Sequence, residues 1–391
     1  MDKKIRLGII GIGNMGTGHA GNILAGKCPD IELTAVADIN PDRISWAREN
    51  LSKDIAYFDD ALEMLDSGLI DACHICVPHY DHPKYAIECM KRGLHVMCEK
   101  PAGVYTKQVR EMNEAAKKHP EVVFGMMFNQ RTNHVYRKMR ELVHSGKYGR
   151  IRRAIWIITD WYRPQCYYDS GDWRATWSGE GGGVLLNQCP HQLDLWQWIV
   201  GMPKTVQSHM RFGQWHDIEV EDDVTTYMEY ENGASGVFIT TTGDANGTNR
   251  FEIQMDKARL IVENNELKVL EFEVSEPEFT KTNTQPFATM PAHEIEIETD
   301  GKNEQHVGVL NAWADAILRG GKMIAGGEEG INGLMLSNAM HLSTFLNKKV
   351  ELPIDEDLYY EELMKRVKTS RRKEAVKAVF ADTRDSYAGN K

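Results

Sequence analysis

Ile5-Arg6-Leu7-Gly8-Ile9-Ile10-Gly11-Ile12-Gly13-Asn14-Met15-Gly16 is a short apolar run that ends in three spaced glycines, with a helix-compatible stretch following to about Ala25. The run reads as a buried strand, and the glycines have separate tasks. Gly11 allows the tight turn, Gly13 lets the backbone approach a pyrophosphate, and Gly16 lets the helix pack closely on the strand. Alone this pattern is weak. A second apolar strand over 31–37 strengthens it, because it ends in Asp38, about twenty residues beyond the glycines, where a carboxylate accepts hydrogen bonds from both adenosine ribose hydroxyls. The same charge repels a 2′-phosphate, and neither Ile39 nor Asn40 supplies a cation to bind one, so the expected cofactor is NAD.

Working outward, helices at 41–51, 59–65, 83–92 and 106–119 alternate with strands at 55–58, 72–77 and 122–128, Thr106 capping the last helix. LHVMCEKP at 94–101 is one more buried strand, with Glu99 and Lys100 at its tip. Strands alternating with helices imply a doubly wound parallel sheet, and ligands bind outside the carboxyl ends of its strands. This α/β domain is expected over 1–128. From Asn129 the rhythm changes to a helix at 135–145 followed by strands at 151–161, 205–215, 224–230, 236–242, 251–255, 259–262 and 267–272. Turn residues such as Glu231-Asn232-Gly233 make these an antiparallel sheet, so 129–355 reads as an α+β domain with a large open sheet. Helices at 307–319 and 328–346 close it, 275–305 has no assignment, and 356–391 is an extension.

GGGVLLNQCPHQLDLWQW at 181–198 has helical apolar spacing, but Pro190 lacks an N–H, so the helix either starts there or kinks there. In the kinked case Asn187 and His191 share a face, and Asp194 lies one turn on, where it could orient the imidazole. No metal-ligand spacing accompanies His191, and Cys73 and Cys76, the only C-x-x-C pair, would point to opposite faces of a strand; no metal is expected.

Composition narrows the partners. The 391 residues carry a net charge of −11, which argues against nucleic acid, since phosphate binding needs a basic face. The basic cluster of Lys365, Arg366, Lys368, Arg371, Arg372, Lys373 and Lys377 reads as the solvated side of a helix. No leader or membrane-length apolar run is visible and the seven cysteines are irregularly spaced, so a cytoplasmic location with no membrane partner is expected.

GIGNMG, Asp38, VPHYDH, HVMCEKP and GGGVLLNQCPHQLD, in this order, resemble the glucose-fructose oxidoreductase, inositol dehydrogenase and MocA family over nearly the whole chain to VELP at 350–353. The resemblance implies an N-terminal Rossmann domain and a C-terminal sheet that commonly forms an oligomer interface. It places Lys100 at the nicotinamide and substrate and makes His191 catalytic. It extends the cofactor contacts from Gly11, Ile12, Gly13, Asn14, Met15, Gly16 and Asp38 to Val77, Pro78, His79, His82, Glu99, Lys100 and Asn129. Two positions depart from the pattern: His79 stands where the family usually has Asn, and Asn187 where inositol-type members carry Asp. The second departure resembles the branch that oxidises carbon 3 of sugars or glycosides. A neutral amide holds a hydroxyl but cannot take its proton, so the catalytic group is read as Lys100, His191 and Asn187. His191 is expected to act as the base, poised near neutral pH, with Lys100 stabilising the alkoxide; the reverse assignment is the alternative.

The loop DWYRPQCYYDSGDWRATW at 160–177 offers Trp161, Tyr162, Trp173 and Arg174, with Asn187 and His191, to a small-molecule sugar or glycoside. Three functions compete: an NAD-dependent dehydrogenase of sugars, glycosides or inositol-type polyols, a glycosidase using transient carbon-3 oxidation and elimination, and a non-catalytic NAD sensor. Alternating apolar positions in strands without covering helices predict a homo-oligomer, a dimer or a multiple of it.

Overall fold

The computed structural model describes residues 4–371 and 373. Strands β1 (Ile5–Ile10), β2 (Ile31–Ala37), β3 (Ala56–Phe58), β4 (Ala72–Ile75), β5 (His95–Cys98) and β6 (Phe124–Met126) form one sheet in the order β3-β2-β1-β4-β5-β6. Every pairing is parallel, as expected for apolar strands linked by crossover helices. The strand order reverses between β1 and β4, so the chain leaving β1 at Gly11 and the chain leaving β4 at Cys76 diverge there. That crevice is where a doubly wound sheet binds its ligand.

Local sequence explains most helix starts. Asn40 and Asp60 accept hydrogen bonds from amides of the turns they cap, so the helices begin at Pro41 and Ala61. Thr106 differs from expectation: it is the first helical residue and not the cap, because Asn338, far along the chain, accepts from its amide at 3.0 Å and donates to Val104 O at 3.0 Å.

The second sheet contains β7 (Ile151–Ile158), β8 (Thr205–Phe212), β9 (Glu221–Glu229), β10 (Ser235–Thr241), β11 (Asn249–Met255), β12 (Ala258–Glu263), β13 (Glu266–Phe272), β14 (Ala292–Ile295) and β15 (Val350–Glu351). Its order is β14-β13-β12-β11-β7-β10-β9-β8-β15. The β7–β10 pair is parallel and the others are antiparallel. The unassigned stretch 275–305 holds a helix, Glu276–Thr282, and the edge strand β14. On one face Trp156 stacks on Phe251 with centroids 4.3 Å apart, and Trp196 lies 5.7 Å from Phe251. Gly236 permits that approach, since a Cβ there would stand 2.8 Å from the Trp196 ring. On the other face Ile155, Ile157, Val237 and Ile239 are only half-buried and Tyr227 is exposed.

Helix Gln305–Arg319 belongs in sequence to the second half but packs on the first. Val309, Leu310, Trp313 and Ala314 join Ile5, Leu7, Ile9 and Met97 in one apolar cluster, with Trp313 Nε1 donating to Val123 O. The extension also docks: helix Glu356–Val367 meets helix Thr106–Lys118 through Lys107–Asp357 and Arg110–Glu356 ion pairs, beside Tyr105 against Tyr360. In the basic cluster Lys365 and Arg366 pair with Glu362, and Lys373 donates to Tyr168 O; Arg372 and Lys377 lie outside the described residues. Among the described residues no helix is long and apolar enough to cross a membrane.

Candidate active site

The glycine turn has the geometry of a dinucleotide cradle. Gly11 sits at φ +92°, and a Cβ there would come within 2.5 Å of Cys76 O; one on Gly16 would strike Gly11 O. Gly13 alone of the three faces open space, with nothing within 4 Å of a built Cβ, which is the clearance a pyrophosphate requires. Asn14 and Met15 open the helix that points its amides there. Asp38 holds the turn: its Oδ2 accepts from Ile12 N at 2.7 Å and its Oδ1 from Asn40 N at 2.8 Å. Arg43 braces the opposite side, donating to Ile12 O at 2.5 Å and Thr17 Oγ1 at 2.9 Å. These residues fit NAD.

Around the second strand exit, Val77 and Pro78 line the chain leaving β4. His82 is buried with Nε2 2.7 Å from Val77 O and Nδ1 2.6 Å from Pro101 O, so it clamps the exits of β4 and β5 together. His79 is buried too, its Nδ1 3.3 Å from Glu180 O in the second domain. Burial, and the charges of His82 and Lys100 after it, hold His79 well below the usual imidazole value. Asn129 donates to Gln305 Oε1 at 2.5 Å, and its Oδ1 has no hydrogen-bond partner among the described residues.

Glu99 and Lys100 diverge. Burial alone would raise the Glu99 carboxyl, but the hydrogen bond and charge of His19, at 2.7 Å, outweigh it and hold the group well below the usual range. Lys100 extends to the other domain, where Nζ donates to Asn187 O at 2.8 Å. Burial pulls its pKa down against Glu99 and Glu180, and Arg174 and Arg163 add to the fall.

The triple glycine forms a tight turn, not helix. Glu221, fully buried, accepts from Gly183 N at 2.8 Å and Leu185 N at 3.0 Å, and a Cβ on Gly183 would collide with Glu221 O. The helix starts at Pro190, where a missing N–H costs nothing, and runs to Ile199. Asn187 therefore precedes the helix that carries His191, and the kinked arrangement is corrected.

Asp194 does not serve His191 either. It receives Arg131 Nε at 2.7 Å and Nη2 at 2.6 Å, with both side chains 1% exposed, because a buried guanidinium fork demands a bidentate partner. His191 is buried, edge-on to Phe128. Burial, then the Lys100 ammonium, push its pKa well below the usual value, so it is neutral at pH 7 and not poised to titrate there.

One participant, Glu180, escaped the sequence reading. Glu180, 2% exposed, accepts from Ala175 N at 2.6 Å and from Asn187 Nδ2. Tyr167 OH lies 3.3 Å from Asn187 Oδ1 and accepts from Arg174 Nη1 at 2.9 Å. A carboxylate immediately before the glycines was the available signal for Glu180.

In the aromatic loop, Arg174 lies over Trp173 and Tyr167, and Arg163 over Trp161 and Tyr167. Tyr162 is exposed, whereas Trp177 packs against Phe212 and Phe345 and serves the core. Ser370 ties this loop to the extension, donating to Glu219 Oε2 at 2.6 Å with Ser178 Oγ 3.1 Å away.

A glycine cradle at a sheet's switch point, a carboxylate at the end of the second strand and a lysine that crosses to the segment before a buried histidine fit an NAD-dependent dehydrogenase. The chain belongs to the Gfo/Idh/MocA family: residues 5–126 match the oxidoreductase family with NAD-binding Rossmann fold, and residues 136–261 its C-terminal domain. It is 27% identical to the myo-inositol 2-dehydrogenase of Thermotoga maritima, across 66% of this chain and 75% of that protein. It is 29% identical to the D-glucoside 3-dehydrogenase of Escherichia coli, across 59% and 68%. Its structure matches the WlbA dehydrogenase from Bordetella pertussis in complex with NADH and UDP-GlcNAcA, with TM-score 0.77, 25% identity and coverage of 91% and 99%.

Proposed function

We propose that this enzyme oxidises a secondary hydroxyl, at carbon 3, of a sugar or glycoside to the ketone. The observation that carries this reading is the 2.8 Å hydrogen bond from Lys100 Nζ to Asn187 O, which brings the first domain's lysine to the strip of the second domain that bears His191. NAD, held by Gly11 to Gly16 and Asp38, supplies the hydride acceptor. His191, neutral because it is buried, takes the hydroxyl proton, and Lys100 stabilises the negative charge that develops on the oxygen. Asn187 cannot serve as a base. Its amide is fixed between Glu180 and Tyr167, so it orients the substrate side of the site. Trp161, Tyr162 and Trp173 offer ring faces to the C–H face of a pyranose, with Arg174 beside its hydroxyls. The likeness to a D-glucoside 3-dehydrogenase supports the carbon-3 assignment.

The test is to incubate the protein with NAD and a panel of glucosides and related pyranosides, identifying products by NMR while measuring NADH and free aglycone. A 3-keto product with matching NADH is expected. Oxidation at another carbon overturns the regiochemistry, and aglycone release without NADH indicates elimination chemistry instead.

A further inference from the structure

Next to Glu99, three side chains with metal-binding chemistry converge inside the first domain. His19 comes from the helix after the glycine turn, His74 from β4, and Cys76 from the chain just beyond β4; each offers a ligand atom, and these atoms lie within 4.8 Å of one another. His19 and His74 are 1% and 0% exposed, with ring centroids 4.2 Å apart.

Simple core packing accounts poorly for this group. Neither ring nitrogen of His74 has a hydrogen-bond partner among the described residues, and neither does Nδ1 of His19. Each buried polar atom left unpaired costs about 1–3 kcal/mol, so three in one place call for a ligand. His19 is committed through Nε2 to Glu99 Oε1 at 2.7 Å, and a carboxylate on one nitrogen is the usual support for an imidazole that ligates through the other. Cys76, half-buried, offers a thiol that a bound cation deprotonates.

We propose that His19, His74 and Cys76 form a buried site for a divalent transition-metal ion, zinc by its ligand chemistry, which ties the helix after the glycine turn to the end of β4. Two imidazoles and a thiolate suit zinc and not magnesium or calcium. Tetrahedral zinc holds such atoms about 3.5 Å apart, so closure from 4.8 Å requires shifts of about 1 Å. The fourth position falls to water, because Glu99 Oε1 is held by His19 Nε2 on the far side of that ring. The ion's role is structural: it fixes the cofactor turn and Glu99 and takes no part in oxidation. Cys76 thus finds its partners across the domain and not in Cys73.

The experiment uses the full-length protein, stripped with a chelator and reloaded with Zn²⁺ or Co²⁺ without NAD. About one tightly held ion per chain is expected, with a near-ultraviolet thiolate-to-cobalt band and a melting temperature that falls on stripping and returns with zinc. Cys76→Ser should abolish the band, and His74→Val should weaken Co²⁺ binding by at least about tenfold while far-ultraviolet circular dichroism of both variants reports an intact fold. A wild-type protein that binds no stoichiometric ion, or binds Co²⁺ without the thiolate band, overturns the proposal whatever the variants do.

Discussion

Asp194 stands three positions after His191 and pairs with Arg131 instead, through two hydrogen bonds of 2.7 and 2.6 Å. Burial opposes a charge on Arg131, but Asp194 and then Glu329 outweigh it and keep the guanidinium protonated. Asp194→Asn should therefore lower stability by about 3–5 kcal/mol, since it leaves a buried charge half-paired. Denaturant unfolding reads this directly. A loss of turnover at unchanged stability would return Asp194 to the catalytic machinery.

Lys100→Ala and His191→Ala should each reduce kcat by about 10²-fold or more while NAD still binds. The pH profile assigns the base. With His191 in that role, burial keeps it unprotonated below the ordinary imidazole range, so the rate stays level as pH falls from 7 toward 6. With Lys100 as base, the rate instead climbs with pH through a value below 10.5.

Asp38 should make NAD bind at least about tenfold more tightly than NADP, or ~1.4 kcal/mol. Dissociation constants from fluorescence titration check this, and equal values would show that Asp38 does not meet the ribose.

Acid should destabilise the protein earlier than carboxylate titration would. Burial depresses His74, His79 and His191, and His306 to about 4. Below about pH 6.5 the unfolded chain takes up protons that these folded imidazoles refuse, so their contribution is complete above that pH and is lost as pH falls toward the folded values. Each adds a slope of at most about 1.4 kcal/mol per pH unit. Melting temperature measured from pH 7 to 5 should drop, and a flat curve would mean that the folded histidines protonate normally.

The half-buried Ile155, Ile157, Val237 and Ile239, with exposed Tyr227, predict a homo-oligomer through the uncovered face of the second sheet. Light scattering at micromolar concentration should give a dimer or a multiple of it, and Tyr227→Lys should shift it toward monomer.

What the sequence revealed was local. The strand, glycine turn, helix and Asp38 of the first domain are adjacent or regularly spaced, so their physics is readable in order. Pro190 announced a helix boundary, but choosing between a start and a kink required knowing that Glu221 would hold the amides of Gly183 and Leu185. The fates of Asp194, Thr106 and Cys76 were decided by Arg131, Asn338, His19 and His74, partners set by the fold and not by spacing. Nor could hydropathy show that helix Gln305–Arg319 would seal the first sheet, because its apolar face fits either core.

Lys100 is anchored by the main chain of residue 187, whose carbonyl every amino acid possesses. The side chain at that position can be exchanged without unseating the lysine. With Lys100 and Asn187 in their proposed roles, substrate preference and the means of oxidation are separable at a single residue, and a lineage could trade one polyhydroxylated substrate for another there while each intermediate remained a working dehydrogenase.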